Sequence, residues 1–171
     1  MPGGRLDNLD PQILEEIRVR AGLPKDQIAV RTGVTPNVIS RWFNGHSSPS
    51  PGHALTLADV LGVDVLDLTG KTMATADVVD LRHRKGWRGV DVVDASDGQV
   101  NRSVIYNFER AIAVPTAEQF NLFADLYEVE VSEVKRAWVN RRITRYGEES
   151  LDYLTADERK LLSPWASRRP Q

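Results

Sequence analysis

Arginine and asparagine occur together in two short segments of the chain. An arginine guanidinium group can donate two parallel hydrogen bonds to guanine, and an asparagine carboxamide can donate one hydrogen bond to adenine and accept one from it. Asn37 and Arg41 stand about one helical turn apart, and a later segment contains Arg102 and Asn107. Side chains of these two types carry the hydrogen-bond donors and acceptors that are complementary to the edges of bases.

The sequence offers little for catalysis or for metal binding. Cysteine is absent, which excludes disulfides and thiolate metal sites and fits a reducing cytoplasm. A proline-rich break separates His46 from His53, and no clustered carboxylate completes a metal site with them or with His83. No glycine-rich phosphate loop or nucleophile elbow is present. We therefore expect no enzyme, no metal and no cofactor.

The composition is that of an ordinary globular protein. The chain has 171 residues, of which 41% are hydrophobic and 27% charged, and this length leaves room for two small domains. No stretch approaches the roughly 18 apolar residues of a membrane helix, and the N-terminus lacks an apolar signal region. We expect a cytoplasmic protein without membrane contact. The formal net charge of -2 argues against nucleic-acid binding, because phosphates attract basic proteins.

An internal repeat is the strongest signal in the sequence. Residues 57–68 recur as residues 123–134 at an offset of 66, and residues 17–23 recur as residues 81–87 at an offset of 64. A two-residue insertion near Asp97 reconciles the two offsets. The first offset also pairs Ile39 with Ile105, Trp42 with Phe108 and Pro49 with Pro115. Two similar units in series are therefore predicted.

The repeat predicts an all-α protein with two tandem domains of about five helices each. These domains are expected at residues 8–70 and 77–137, with a linker at 71–76 and a short helical tail at 138–171. Two short helices joined by a glycine-containing turn form a helix-turn-helix unit, here about 24–32 and 36–44. The preceding helix is expected to bury the face formed by Ile13, Ile17 and Ala21.

Residues 23–68 resemble the Cro/CI/Xre (lambda-repressor-like) helix-turn-helix family. The matching motifs are Ile28-Ala29, Gly33-Val34-Thr35, Ile39-Ser40-Arg41-Trp42, Asn44-Gly45, and Leu57-Ala58 followed by Leu61-Gly62-Val63. The second copy is less similar, because its valine-rich helix near residues 88–95 precedes a longer turn and Ala111 stands where the first copy has Gly45. The longer turn is similar to one in actinobacterial developmental regulators of this family.

The resemblance implies that helices 36–44 and 101–110 enter major grooves of DNA. Asn37, Arg41, Arg102 and Asn107 are then expected to read bases. Residues at helix ends are expected to contact phosphates, among them Arg110. The complete predicted DNA-binding set is Lys25, Thr35, Pro36, Asn37, Ser40, Arg41, Asn44, His46, Asn101, Arg102, Ser103, Tyr106, Asn107 and Arg110.

The resemblance implies a sequence-specific transcriptional regulator of double-stranded DNA, and we expect a repressor. A phage immunity repressor is favoured over an actinobacterial developmental regulator. Because the two recognition helices differ, a monomer on an asymmetric operator is slightly favoured over a homodimer. The alternatives are an antitoxin-like autoregulator and an adaptor that uses the same fold for protein contacts, and the acidic net charge supports the adaptor.

The tail contains a basic cluster of Arg141, Arg142 and Arg145. This cluster is expected either to form a solvated helix face or to contact a flanking phosphate. Further on, Thr155 and Glu158 have the spacing of a capping box and predict the start of a helix that Pro164 would end.

Overall fold

The computed structural model describes residues 5–166, and the regular structure in this part of the chain is entirely helical. The predicted all-α class is therefore confirmed. None of the helices in this range is both long and apolar enough to cross a bilayer. The α-helices are α1 (Pro11–Ala21), α2 (Lys25–Thr32), α3 (Pro36–Phe43), α4 (Pro51–Leu61), α5 (Val78–Arg84), α6 (Gly89–Ala95), α7 (Arg102–Arg110), α8 (Ala117–Tyr127), α9 (Val131–Tyr146) and α10 (Ala156–Leu161), with 3-10 helices at Val65–Thr69 and Glu148–Tyr153.

The described chain forms two compact units. The first unit contains residues 5–72 and 82–89, and the second contains residues 73–81 and 90–166. Helix α9 runs without a break through residue 137, where the repeat placed the end of the second domain. The tail therefore does not begin at a structural boundary.

Local sequence signals begin and end the helices of the first unit. The Asp10 carboxylate accepts hydrogen bonds from the amides of Gln12 and Ile13 and so begins α1. Gly22, which follows α1, adopts the left-handed conformation that ends a helix most readily. The core gathers apolar side chains from α1 to α4 and from the 3-10 helix, among them Leu14, Ile17, Ile28, Ile39, Trp42, Leu57 and Leu68.

The inward face of α1 differs from the expected one. Leu14 and Ile17 are buried, Ile13 is half-buried, and Ala21 is exposed. The helix therefore turns its Leu14 side toward the core. Leu14 is also larger than Ala21, so burying it removes more apolar surface from water.

The second unit packs α7, α8 and α9 around aromatic side chains. The rings of Phe108 from α7 and Phe123 from α8 are stacked, with centroids 3.8 Å apart and planes 11° apart. Phe120 and Trp138 are fully buried. Helix α9 packs against both α7 and α8, so residues beyond the sequence repeat help to build this core.

Several hydrogen bonds recur at the offsets of the repeat. Arg18 Nη1 donates to the carbonyl of Leu23 at 2.9 Å, and Arg82 Nη1 donates to the carbonyl of Trp87, 64 residues later, at 2.8 Å. At the offset of 66, the left-handed residues that follow α4 and α8 are Gly62 and Glu128. Backbone geometry thus repeats where the residue type does not.

Candidate nucleic-acid interface

Helices α2 and α3 of the first unit are joined by a tight turn. Gly33 has a φ of 70°, which favours glycine, and the amide of Val34 donates to the carbonyl of Ala29 at 3.2 Å. Thr35 then caps α3, because its hydroxyl oxygen accepts a hydrogen bond from the amide of Val38. Pro36 is the first residue of the helix and has the φ that a helix start requires.

Helix α3 presents a polar stripe on the side opposite the core. Asn37, Ser40, Arg41 and Asn44 are all exposed, and their spacing of three and four residues places them on one helix face. Asn44 Nδ2 donates to Ser40 Oγ at 3.3 Å. Ile39, Trp42 and Phe43 occupy the buried face, so burial of these three side chains fixes the direction of the polar stripe.

Arg41 is the charged group of this stripe. In residues 5–166 its guanidinium group has no ion-pair or hydrogen-bond partner, and the side chain is exposed. A guanidinium group in this state can form a bidentate pair without first breaking a contact within the protein. The carbonyl of Arg41 accepts hydrogen bonds from the amides of His46 and Ser47, which hold the segment after α3 beside its last turn.

Lys25 is already partnered at the start of α2. Its Nζ lies 3.5 Å from Glu15 Oε2 and 4.8 Å from the ring centroid of Phe43. Hydrogen bonding to Arg18 is the largest effect on the pKa of Glu15 and lowers it; burial opposes this, and the charge of Lys25 makes a smaller contribution that also lowers the pKa. Because exposed ion pairs contribute at most about 1 kcal/mol, a phosphate can compete with Glu15 for Lys25.

In the second unit, helices α6 and α7 are joined by a longer turn. Ser96 Oγ accepts a hydrogen bond from the amide of Val100 at 3.0 Å and donates to the carbonyl of Val93. Asp97 and Gly98 have positive φ values. Asn101 caps α7, because its Oδ1 accepts hydrogen bonds from two backbone amides of the first turn. The longer turn predicted from sequence is therefore present and is closed by Ser96.

Helix α7 also presents a polar face, formed by exposed Arg102, Ser103, Tyr106 and Asn107. Arg110 does not extend freely from the end of this face. Its guanidinium group lies 5.0 Å from the ring centroid of Tyr106, and its Nε is buried. The Tyr106 ring thus covers part of the group that the sequence predicted for phosphate binding.

The two helices place different residue types at equivalent positions. At the offset of 66, the stripe of Asn37, Ser40, Arg41 and Asn44 corresponds to Ser103, Tyr106, Asn107 and Arg110. The two capping residues, Thr35 and Asn101, also correspond. Arginine in α3 therefore stands where α7 has asparagine, and these two side chains prefer different bases.

Sequence reasoning missed the residues that hold the end of α7. Arg141, Arg142 and Tyr146 of α9 donate hydrogen bonds to backbone carbonyls at residues 109–112. These arginines therefore neither form a solvated face nor extend freely. Their partners lie 30 or more residues away in the sequence, and no local spacing reveals them.

Comparison with known proteins identifies part of the chain. Residues 14–68 match a family model described as Helix-turn-helix (HTH_3), so the first unit contains a helix-turn-helix domain of the Cro/CI type, as its sequence predicts. A relative, the 26 kDa repressor protein of Escherichia phage HK022, is 35% identical over 115 residues. The alignment covers 61% of the chain and 48% of the relative, so the chain spans about half the length of that relative.

The similarity to the phage protein extends beyond residues 14–68, because the aligned segment of 115 residues is longer than that range. Neither match is to an enzyme, in agreement with the expectation from sequence. A comparison with solved structures gave no match.

Proposed function

We propose that the protein is a sequence-specific repressor that binds double-stranded DNA. The exposed polar stripe of α3, within the segment that matches the helix-turn-helix model, carries this proposal. The first unit inserts α3 into the major groove, where Arg41 pairs with guanine and Asn37 with adenine. The relative from phage HK022 is a repressor protein by name, which supports the repressor assignment.

The remaining polar residues of the first unit bind the phosphate backbone. The N-terminus of α3, capped by Thr35, directs backbone amides toward an anion. Asn44 and His46 are exposed at the other end of the helix, and Lys25 exchanges Glu15 for a phosphate. Local placement of these groups offsets the acidic net charge of the whole chain.

The second unit acts as a diverged copy with α7 as its recognition helix. The equivalent left-handed residues Gly62 and Glu128 support this interpretation, as do the equivalent capping residues Thr35 and Asn101. Arg102 and Asn107 read bases in this unit. Because α3 and α7 carry different stripes, one chain recognises an asymmetric operator as a monomer. A homodimer on a palindrome is the alternative arrangement.

The test is a footprint on DNA enriched from random sequence by the purified protein. A protected asymmetric site spanning two half-sites is expected. Arg41→Ala should weaken binding to that site by about 1–3 kcal/mol. The matched control is Arg20→Ala, which removes the same charge from the exposed end of α1 and should have a much smaller effect. Absence of any enriched sequence at low salt would contradict the proposal and favour the protein adaptor.

A further inference from the structure

The C-terminal end of helix α7 is stabilised by side chains from α9. The last carbonyls of any α-helix lack partners within the helix, and a buried carbonyl without a donor is costly. Ala111 follows α7 in the left-handed conformation, and its amide donates back to the last turn. This leaves the carbonyls of Glu109, Arg110 and Ala111 to be satisfied from elsewhere.

Each of these three carbonyls has its own donor on α9. Arg141 Nε donates to Glu109 at 2.8 Å, and Tyr146 Oη donates to Arg110 at 2.9 Å. Arg142 Nη1 donates to the carbonyl of Ala111 at 3.1 Å. By contrast, the last turn of α3 is closed by backbone amides of the segment that follows it.

The two arginines are themselves held in place. Arg141 Nη1 forms an ion pair with the carboxylate of buried Asp77 at 3.1 Å. Arg142 Nε donates to the carbonyl of Ser150 at 3.3 Å, and its guanidinium group lies 5.6 Å from the ring centroid of Trp138. Each planar guanidinium group therefore joins α7 to a second part of the unit, and a lysine has too few fixed donors to do this.

We propose that Arg141, Arg142 and Tyr146 are positioning residues that set the orientation of α7 for base reading, without contacting DNA themselves. This inference rests on the proposed function. A binding constellation must be held within about 0.5 Å of its productive geometry. The carbonyls held by α9 lie within one turn of Asn107, so displacement of this end of α7 displaces a predicted base reader.

The competing role for these arginines is direct phosphate binding, and the two roles predict different measurements. The salt slope of binding is the slope of the logarithm of the binding constant against the logarithm of the salt concentration. Removing one phosphate contact reduces the magnitude of this slope by about 1. Lysine restores such a contact, because a point charge suffices. Removing a positioning contact leaves the salt slope unchanged. It weakens only the discrimination at the α7 half-site, which is the ratio of the affinity for the intact operator to the affinity for an operator whose α7 half-site is scrambled. Lysine cannot restore that discrimination.

The experiment uses the full chain and its enriched operator, together with operators in which either half-site is scrambled. Tyr146→Phe removes only the hydroxyl donor and should lower discrimination at the α7 half-site about fivefold, the equivalent of one hydrogen bond. Arg142→Gln and Arg142→Lys should both lower it, with the salt slope and the discrimination by α3 unchanged. Arg20→Gln is the charge-matched control, since this exposed arginine of α1 has no hydrogen-bond or ion-pair partner in the described chain, whereas Arg145 lies 5.8 Å from the ring centroid of Tyr146. Thermal unfolding of each variant verifies that it is folded.

The outcomes separate this inference from the proposed function. If the wild-type chain prefers no DNA sequence, the proposed function fails. If the wild-type chain binds specifically but Tyr146→Phe and Arg142→Lys leave discrimination at the α7 half-site intact, only the positioning role is overturned. The positioning role is also overturned if Arg142→Gln lowers the salt slope and Arg142→Lys restores it. A wild-type footprint that covers a single half-site would overturn the positioning role as well.

Discussion

Replacing Glu128 by glycine should stabilise the protein, because Glu128 ends helix α8 in a conformation that costs free energy for any residue with a Cβ atom. Its φ and ψ are 55° and 48°, and its amide donates to the carbonyls of Ala124 and Asp125. At the equivalent position after α4, Gly62 has φ 70° and ψ 34°, and its amide donates to Ala58 and Asp59. The same cap is therefore made by a glycine in one unit and a glutamate in the other.

The magnitude follows from the backbone. The left-handed conformation costs an L-residue about 1–2 kcal/mol, whereas the greater freedom of glycine in the unfolded chain costs about 0.5–1 kcal/mol. Glu128→Gly should therefore raise the free energy of unfolding by about 0.5–1 kcal/mol. Gly62→Ala should lower it by a similar amount, because a Cβ atom there meets no other atom within 4 Å and only the backbone penalty remains.

The assay is urea unfolding at neutral pH. Glu128→Ala is the control, because it removes the carboxylate and its interactions but keeps the Cβ atom and the strained backbone. The informative quantity is the difference between Glu128→Gly and Glu128→Ala. If the glycine variant is no more stable than the alanine variant, and Gly62→Ala is neutral, the assignment of strain to this backbone position is wrong.

Three further predictions concern base preference, capping and acid stability. Arg41→Asn should shift the preferred base from guanine toward adenine, the base proposed for Asn107 in α7, in selection from a randomised half-site; an unchanged preference would remove Arg41 from the proposed base readers. Asn101→Ala should cost about 1 kcal/mol in urea unfolding, and Asn101→Asp should restore most of it; an equal loss in both variants would contradict the capping role. Burial tends to raise the pKa of Asp64, but hydrogen bonds from Arg84 and the Leu66 amide outweigh burial and lower it. The resulting stabilisation is complete above the ordinary carboxyl pKa of about 4. It is lost as the pH falls through the lower pKa that Asp64 has in the folded protein. Because the ion pair of Asp64 and Arg84 is partly exposed, Asp64→Asn should remove less than about 1 kcal/mol of this acid dependence. If the free energy of unfolding depends on pH identically in the wild type and the variant, Asp64 makes no such contribution.

The helices of the first unit could be predicted because short-range chemistry defines them. Gly22 and Gly33 take the left-handed conformation that ends a helix, and Thr35 with Pro36 begins the next one. The polar stripe on α3 follows from the same spacing that buries Trp42. The buried face of α1 was harder to predict, because periodicity alone does not decide which of several neighbouring apolar residues faces the core.

The surroundings of the predicted site residues depended on tertiary packing. Lys25 faces Glu15 from the preceding helix, and these residues are ten positions apart with a turn between them. The placement of Arg110 against Tyr106 had a local signal, since the two stand four residues apart on one helix. No comparable signal connects Arg141 to the carbonyl of Glu109, because that contact exists only once α7 and α9 have packed.

The two proposed recognition helices therefore differ in what holds them. Helix α3 ends on backbone amides from its own neighbourhood, so residues 14–68 contain what its last turn requires. Helix α7 ends on three side chains of α9, all of which lie beyond residue 137, where the sequence repeat stops. A second domain cut at that boundary would lose all three donors and leave carbonyls of residues 109–111 without their partners. The unit of sequence repetition is thus shorter than the unit that stabilises α7, and the proposed recognition helix of the second unit depends on the segment that follows its own repeat.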